Sequence, residues 1–230
     1  MAWSVDILTL YPDMFPGYLN QSLSGKALKE NIWSLKVHDI RDYGLGKHNT
    51  VDGKPAGGGP GMVLRADVLD DAIENSLSKK NRIIYFSPKG KQLTQDRVKE
   101  CSLSEGVSIL CGHFEGIDQR IIEKYDMEEI SMGDFILSGG EVAAMAFLDS
   151  VIRLLPNTIG NIESTTIESF SNGLLEYPQY TKPNEFDNMK IPEILLSGNH
   201  KAIEEWRQNQ SIDLTKKRRP DLILKKKDKI

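Results

Sequence analysis

A glycine-rich segment, Gly133–Gly140, directly precedes a hydrophobic stretch, Val142–Leu155. Glycine permits positive φ angles and lets a backbone approach a ligand closely, so the segment could bind a small molecule. A glycine-lined turn between a strand and a helix is the simpler alternative, and these residues leave both open. The hydrophobic stretch is broken only by Asp149, Ser150 and Arg153. It predicts a helix inside a core or a subunit interface, and at about 14 residues it is too short to span a bilayer.

Two ionisable residues stand out by position. Arg153 lies near the end of the hydrophobic stretch, where a guanidinium needs a partner, and Asp149, four residues earlier, could supply an ordinary ion pair. Glu168 ends a polar segment and could equally be an ordinary exposed acid. Cys111 and His113 are too few ligands for a zinc site. No Ser-His-Asp order, thiol–histidine pair or metal-ligand cluster is visible, so the sequence supports neither covalent nor metal-centred catalysis.

The composition is that of a globular protein. The chain has 230 residues, of which 39% are hydrophobic and 27% are charged, enough for one large domain or one and a half. Asp6 interrupts the short apolar start, and no window is long enough to cross a membrane. We therefore expect no signal segment, no membrane association and a cytoplasmic location. The two cysteines do not form a disulfide framework.

The net charge of −4 is unevenly distributed. Residues 201–230 contain ten Lys or Arg and five Asp or Glu, so this end carries +5 and residues 1–200 carry −9. A basic end on an acidic body suggests a polyanionic partner that is bound by one part of the molecule. A solvated, lysine-rich end with no partner is the alternative that charge alone favours.

Strands and helices alternate through most of the chain. The patterns predict strands at 5–10, 32–38, 82–86, 107–110 and 127–131, and helices at 22–31, 66–77, 94–103, 117–125 and 142–155. This order predicts a mostly parallel sheet with helices on both faces. Ligands bind such sheets at the carboxyl ends of the strands. Three strands end there in loops, at 87–90, 111–116 and 132–140, which could together wrap one small molecule.

Two further segments lack regular patterns. Residues 39–62 form a long, polar, glycine-rich loop that matches neither a P-loop nor a dinucleotide fingerprint. It is either an arm that touches a substrate or a mobile surface loop. Residues 157–169 are aperiodic and indicate a linker. Beyond them, residues 170–230 predict a small helical module in which Asn199 caps a helix at 200–209 and Pro220 follows a basic run.

Seven motifs, in this order and spacing, resemble the bacterial tRNA (guanine-N1)-methyltransferases of the TrmD type, members of the SPOUT class. The resemblance extends from the first strand to the basic tail. The motifs are GGGPGM (57–62), SPKG (87–90), CGHFEGID (111–118), SMGDFILSGGE (131–141), DSVIRLLP (149–156), ESFSNGLLEYPQYTKP (168–183) and LLSGNHKAIEEWR (195–207). Each motif alone would be a weak signal, but the set is specific.

The resemblance implies an enzyme that uses S-adenosylmethionine to methylate N1 of the guanine immediately 3′ of the tRNA anticodon (position 37), when another guanine precedes it. It implies a SPOUT-like α/β fold with a deep trefoil knot, a rare exception to the rule against knots. The implied domains are a knotted catalytic domain that binds S-adenosylmethionine (1–156), a flexible interdomain linker (157–169) and a small helical tRNA-binding domain (170–230). The implied assembly is a homodimer with the active site at the subunit interface.

The resemblance also assigns roles to residues. Those expected to bind the methyl donor are Ser87, Pro88, Gly112, Glu115, Gly116, Met132, Gly133, Asp134, Phe135, Ile136, Leu137, Gly139 and Gly140. Glu168 would be the general base that removes the proton from guanine N1, and Arg153 would stabilise the charge that develops on O6. Family members use magnesium, although no ligand cluster for it is visible here.

This chain departs from the family pattern at three positions. Glu168 stands where the family typically has aspartate, and a misplacement of about 1 Å can lower a rate on the order of 10²-fold. His113 and Lys182 stand where arginine is more usual. Three alternatives therefore remain: a related knotted methyltransferase with another target, a catalytically impaired RNA-binding protein, and an unrelated nucleotide-binding α/β enzyme.

Overall fold

The computed structural model describes residues 2–159 and 167–227, with side chains up to residue 224. The chain divides into two compact units, Met1–Gly160 and Asn161–Ile230. The predicted linker at 157–169 falls at this division, but its central residues, 160–166, lie outside the described part of the chain. The domain assignment from sequence therefore stays a prediction.

The first unit is built from strands and helices in alternation. Its strands are β1 (Trp3–Thr9), β2 (Trp33–Asp39), β3 (Asp52–Gly53), β4 (Val63–Leu64), β5 (Ile83–Gln92), β6 (Gly106–Leu110) and β7 (Glu128–Ser131). Its α-helices are α1 (Ser22–Lys29), α2 (Ala66–Ser76), α3 (Gln95–Ser102), α4 (Gln119–Lys124) and α5 (Glu141–Ile152). Short 3-10 helices occupy Pro12–Met14, Gly17–Asn20, Ile40–Tyr43 and Gly46–His48.

Five of these strands form one parallel sheet in the order β2-β1-β6-β5-β7. The parallel sheet expected from the sequence is confirmed. Parallel strands are usually buried on both faces and rich in Val, Ile and Leu, and β6 is buried along its whole length. Because all five strands run in one direction, their carboxyl ends meet at a single edge of the sheet.

Successive strand residues face opposite sides of the sheet and build two hydrophobic cores. Ile7, Ile84 and Ile109 belong to the first core, which includes residues of α1, α3 and α5. Leu8 and Leu110 belong to the second core, which includes residues of α2 and α4. The helices therefore cover both faces, as predicted.

Helix α5 is the most deeply buried helix of this unit. It starts at Glu141 directly after Gly140, and its buried residues include Ala144, Phe147 and Leu148. The predicted hydrophobic helix is confirmed, although it starts one residue earlier than the sequence predicts. The helix is not covered all round, however, because Val142 is 54% exposed.

Two segments differ from the sequence prediction in the first unit. The motif at 87–90 was expected to be a turn after a strand, but β5 continues through it to Gln92, with a register shift between Phe86 and Lys91. Pro88 lies in this shifted segment. Proline lacks a backbone N–H, so within strands it is found mainly at such irregularities. The loop at 39–62 is also more ordered than expected, since it contains two 3-10 helices and the strand β3, which pairs with β4.

The second unit contains β8 (Glu185–Phe186), β9 (Met189–Lys190), α6 (Glu193–Leu196), α7 (His200–Arg218) and α8 (Pro220–Lys227). Asn199 caps α7 as predicted, and its side chain accepts a hydrogen bond from the backbone N–H of Ala202. The predicted end of this helix, at 209, was wrong by nine residues. The β8–β9 hairpin was not predicted, because two-residue strands show no periodicity.

No helix in the described part of the chain is long and apolar enough to span a membrane.

We expect Phe147→Ala to lower the free energy of unfolding by about 3–5 kcal/mol, because it leaves a cavity in the first core. Phe147 is fully buried and its ring centroid lies 5.7 Å from that of Phe86. Urea unfolding followed by circular dichroism measures the change. Leu103→Ala is the matched control, since Leu103 is 88% exposed. An equal loss in both variants would contradict this description of the core.

Candidate functional site

The three segments predicted to converge do so, two of them as loops and 87–90 as part of strand β5. They enclose a cleft of about 350 Å³, within the size range of small-molecule sites. The lining residues are Tyr85, Phe86, Ser87, Pro88, Lys89, Gly112, His113, Phe114, Glu115, Gly116, Ile117, Gln119, Ile122, Glu129, Ile130, Ser131, Met132, Gly133, Phe135, Ile136, Leu137, Ser138, Gly139, Gly140 and Ala143.

Every predicted donor-binding residue except Asp134 lines this cleft. Asp134 is exposed and is not among the lining residues. Their role in binding S-adenosylmethionine remains a prediction, but the structure brings twelve of the thirteen together. The sequence prediction missed Tyr85 and Glu129, which are paired neighbours in β5 and β7. In the strands predicted from the sequence, 82–86 and 127–131, both residues lie within two positions of the carboxyl end, and this is the signal that could have found them.

Glycines are required at the floor of the cleft because neighbouring atoms occupy the space of a side chain. A Cβ on Gly140 would lie 2.9 Å from Cα of Cys111 and 3.1 Å from the backbone nitrogen of Gly112. The amide of Gly140 donates a hydrogen bond of 3.0 Å to the carbonyl of Gly112. The second and third loops are therefore in direct backbone contact, and this contact leaves their main chain open to a ligand.

The outer wall of the cleft is apolar and incompletely covered. Phe135 is 55% exposed and Ile136 is 79% exposed, although both are large hydrophobic residues. Phe114, on the second loop, is about half exposed. Exposed apolar groups clustered around a cleft typically mark a binding surface. The flat, apolar part of a nucleoside would find contacts here.

Two carboxylates give the cleft a negative wall. Glu115 approaches the glycine-rich loop so closely that a Cβ on Gly61 would lie 2.3 Å from its Oε1. Glu129 has one buried oxygen, Oε1, without a hydrogen-bond partner within the described residues. Burial, together with the charge of Glu129, raises the pKa of the Tyr85 hydroxyl, which therefore stays protonated at neutral pH. The wall is complementary to a ligand that carries positive charge.

The residues present fit S-adenosylmethionine. The close-packed glycines let a ligand approach the backbone, and the apolar wall can cover its base. The carboxylates of Glu115 and Glu129 face a molecule that carries a sulfonium and an ammonium group. The buried oxygen of Glu129 would gain a donor from such a ligand, and a buried acceptor without a partner is costly.

A buried thiol lies behind the cleft lining, next to Gly140. Cys111 is fully buried, and burial first and the charge of Glu141 second raise its pKa well above that of a free cysteine. The thiol is therefore neutral at physiological pH and is a poor nucleophile. This agrees with the absence of covalent-catalysis motifs in the sequence.

Arg153 does not line this cleft. Arg153 ends α5, whose other end begins at Gly140 on the cleft floor. A helix of this length, Glu141–Ile152, spans about 18 Å at 1.5 Å per residue. Arg153 is therefore held away from the cleft of its own chain. Glu168 belongs to the second unit, Asn161–Ile230.

Asp149, which precedes Arg153 by four residues, and Glu168 each have defined neighbours. Asp149 accepts a hydrogen bond of 3.0 Å from the hydroxyl of Ser24 in α1. The ion pair between Asp149 and Arg153 considered from the sequence stays a prediction. Glu168 lines a small cavity of the second unit together with Asn172 and Arg207. Among the described residues, no group of three or more His, Cys, Asp and Glu side chains is arranged to hold a metal ion.

We expect Gly140→Ala to abolish measurable donor binding, because the methyl group would meet backbone atoms that cannot move independently. Isothermal titration calorimetry with S-adenosylmethionine measures the loss. Gly53→Ala is the control, since the nearest atom to its Cβ would be the side-chain Cγ of Arg65 at 3.9 Å. Donor binding by the Gly140 variant at the parental affinity would show that the cleft is not the donor site.

The comparisons with known proteins all match this chain to the same family. The family model described as tRNA (Guanine-1)-methyltransferase TrmD matches residues 3–225. Three relatives, all named tRNA (guanine-N(1)-)-methyltransferase, match almost end to end. The protein of Wolbachia pipientis wMel is 54% identical over 227 residues, covering 97% of this chain and 96% of the relative. That of Gluconobacter oxydans (strain 621H) is 52% identical over 223 residues, covering 96% and 95%.

The third relative, from Pelagibacter ubique (strain HTCC1062), is 53% identical over 220 residues, which cover 96% of both chains. The model match covers nearly the whole chain, and the matches cover 95–96% of relatives that bear the same name. The motifs that form the cleft lie within the matched residues. The chain therefore belongs to the TrmD family of tRNA (guanine-N1)-methyltransferases.

Proposed function

We propose that this chain transfers a methyl group from S-adenosylmethionine to N1 of the guanine immediately 3′ of the tRNA anticodon. The observation that carries the proposal is the glycine-floored cleft, where three loops meet at the carboxyl edge of the parallel sheet. Its apolar outer wall and its carboxylates suit a nucleoside that carries positive charge. Family membership supplies the acceptor and the reaction.

The donor supplies a methyl group on a positively charged sulfur, which leaves as a neutral thioether. The task of the protein is to make guanine N1 nucleophilic, because N1 carries a proton and attacks poorly until that proton leaves. In our proposal the carboxylate of Glu168 accepts the N1 proton. Negative charge then develops toward O6, where the guanidinium of Arg153 donates hydrogen bonds and stabilises it.

We infer that the working site is shared by two copies of the chain. The support is geometric: Ala143 of α5 lines the cleft, and Arg153 lies ten residues further along, about 15 Å away, more than an arginine side chain reaches. A second copy can bring its own Arg153 to the cleft. The exposed residues Val142, Phe135 and Ile136 offer an apolar surface for such a contact.

We assign the grip on tRNA to the second unit, Asn161–Ile230. Lys216, Lys217 and Arg218 are exposed in the last turn of α7. Aromatic and cationic groups also meet in this unit, since the guanidinium of Arg207 lies 4.9 Å from the ring centroid of Tyr177. Cations bind phosphates, and aromatic rings stack with unpaired bases. Phosphate contacts predict that tRNA affinity falls as salt rises.

We also infer the trefoil knot of the SPOUT class and a separate helical domain at 170–230. Family membership supports the knot. The strand order also supports it, because β6 is inserted between β1 and β5, next to the backbone contact between Gly112 and Gly140. Single-molecule stretching from both ends tests it, because a tightened knot shortens the extended chain. A full contour length would contradict the knot. Expression of 170–230 alone as a folded helical protein would support the domain.

Magnesium and location complete the proposal. We place the enzyme in the cytoplasm, with its tRNA substrate, and fractionation of the host cell tests this.

We propose that any Mg²⁺ in the reaction is held with the RNA, whose phosphates and waters are its usual ligands. Calorimetry of Mg²⁺ into the protein without tRNA should then give no heat of site binding. Stoichiometric binding to the free protein would contradict this assignment.

The test of function is methyl transfer from labelled S-adenosylmethionine to two tRNA transcripts that differ only in guanine or adenine 3′ of the anticodon. Label on the guanine transcript alone, recovered as N1-methylguanosine, is the expected result. Label on another nucleoside would indicate a related methyltransferase with a different target. Binding of donor and tRNA without transfer would indicate the catalytically impaired RNA-binding protein.

A further inference from the structure

A buried carboxylate next to the cleft has both of its oxygens occupied. Glu141, the first residue of α5, is 2% exposed. Its Oε1 accepts a hydrogen bond of 2.6 Å from the hydroxyl of Thr9, at the end of β1. Its Oε2 lies 2.8 Å from Nε2 of His113. With Glu141 ionised, Nε2 of His113 is the donor, so the carboxylate joins the sheet to the second loop.

His113 belongs to the loop 111–116 and contacts the loop 132–140, and both loops line the cleft. Its backbone forms a bridge with Gly139, and its carbonyl accepts a hydrogen bond of 3.0 Å from the amide of Gly116. The imidazole occupies the space of a side chain at Gly139, since a Cβ there would be 2.3 Å from Cε1 of His113. The rings of Tyr11 and Phe114 flank it at centroid distances of 4.9 and 6.1 Å.

We propose that His113 is a positioning residue that sets the separation of the loops 111–116 and 132–140 through its contact with Glu141. The proposal rests on the proposed function, because these loops are the ones assigned to the methyl donor. Glu141 is the buried first residue of helix α5, so it gives the imidazole a fixed point that belongs to neither loop. His113 ties its own loop to that point, and its ring leaves room only for glycine at 139.

A purely structural role makes a different prediction from a positioning role. Thr9 and His113 bond to the same carboxylate, but Thr9 is absent from the residues that line the cleft, whereas His113 is among them. A structural role predicts that loss of either bond affects donor binding only through general stability. The positioning role predicts that loss of the His113 bond acts on donor affinity directly.

The experiment compares His113→Ala, His113→Gln and Thr9→Val by calorimetry with S-adenosylmethionine, by steady-state kinetics with tRNA and by thermal unfolding. We expect His113→Ala to raise the Kd and KM for the donor about tenfold, the scale of one hydrogen bond to a charged group. We expect kcat at saturating donor to change much less. In His113→Gln the side-chain amide can donate to Glu141 from nearly the same place, so donor affinity should return to within about threefold.

Thr9→Val serves as the matched control. We expect it to lower the Tm while it leaves the donor Kd within about twofold of the parent, because it removes only the bond on the sheet side. Parental donor affinity in His113→Ala would overturn the proposal, as would an equal loss of affinity in Thr9→Val. If the parent protein itself binds no S-adenosylmethionine, the proposed function fails, and this outcome is distinct from failure of the positioning role.

Discussion

Glu168→Gln should lower methyl transfer at saturating donor and tRNA by about 10²- to 10⁴-fold, the usual contribution of a general base. Glutamine keeps the size of the side chain but cannot take the proton of guanine N1. Donor affinity should stay at the parental value, because the proposed role of Glu168 is at N1 of guanine and not at the methyl donor. Single-turnover kinetics measure the chemical step, and calorimetry measures the donor.

Two further variants make this test specific. Glu168→Asp restores the acid that the family typically carries at this position, so we expect it to retain activity. Glu205→Gln removes an exposed carboxylate from α7 of the same unit and should leave the rate unchanged. A parental rate in Glu168→Gln would remove Glu168 from the mechanism, and some other group would then have to accept the proton.

Arg153→Ala should lower kcat by about 10²- to 10³-fold, the scale of losing one donor to a developing oxyanion. Donor affinity should be unchanged, since the proposed role of Arg153 is at O6 of guanine and not at the methyl donor. Arg82→Ala is the control, because Arg82 is an exposed arginine of the same unit that does not line the cleft. Loss of donor affinity in Arg153→Ala, with kcat kept, would contradict the assigned role.

Mixing variants tests whether the site is shared between two chains. A dimer of one Arg153→Ala chain and one Gly140→Ala chain has one site with both defects and one site with neither. Random mixing of two inactive variants should therefore restore about a quarter of the parental activity in a two-fold dimer. No restoration would mean that Arg153 serves the cleft of its own chain or that no dimer forms.

The sequence predicted the sheet well because its signals are local and repeated. Hydrophobic segments such as Val107–Leu110 recur between capped helices, and this order leaves few arrangements other than a parallel sheet. The convergence of the three loops followed from the direction of the strands alone. The continuation of β5 beyond Phe86 could not be predicted, because its pairing with Ile130 crosses a register shift.

Parts of the site and of the second unit were beyond prediction for physical reasons. Glu129 looks like any strand residue until its neighbours in space bury its carboxylate oxygen. Helix α7 continues through Gln208–Ser211, where polar residues imitate a helix end, because Ser211 and Thr215 are buried inside its unit. The partner of Glu141 is likewise set by tertiary contacts, since Thr9 lies 132 residues away along the chain.

The buried thiol of Cys111 has a consequence for chemical probes of this enzyme. A cysteine next to a ligand cleft would ordinarily be considered as an anchor for covalent inhibitors such as acrylamides or chloroacetamides, which react with thiolates. Here burial and the nearby Glu141 keep the thiol protonated, and packing against Gly140 leaves no path to its sulfur. Selective inhibitors must therefore bind reversibly, with their electropositive groups toward Glu115 and Glu129 and their aromatic groups against the apolar wall.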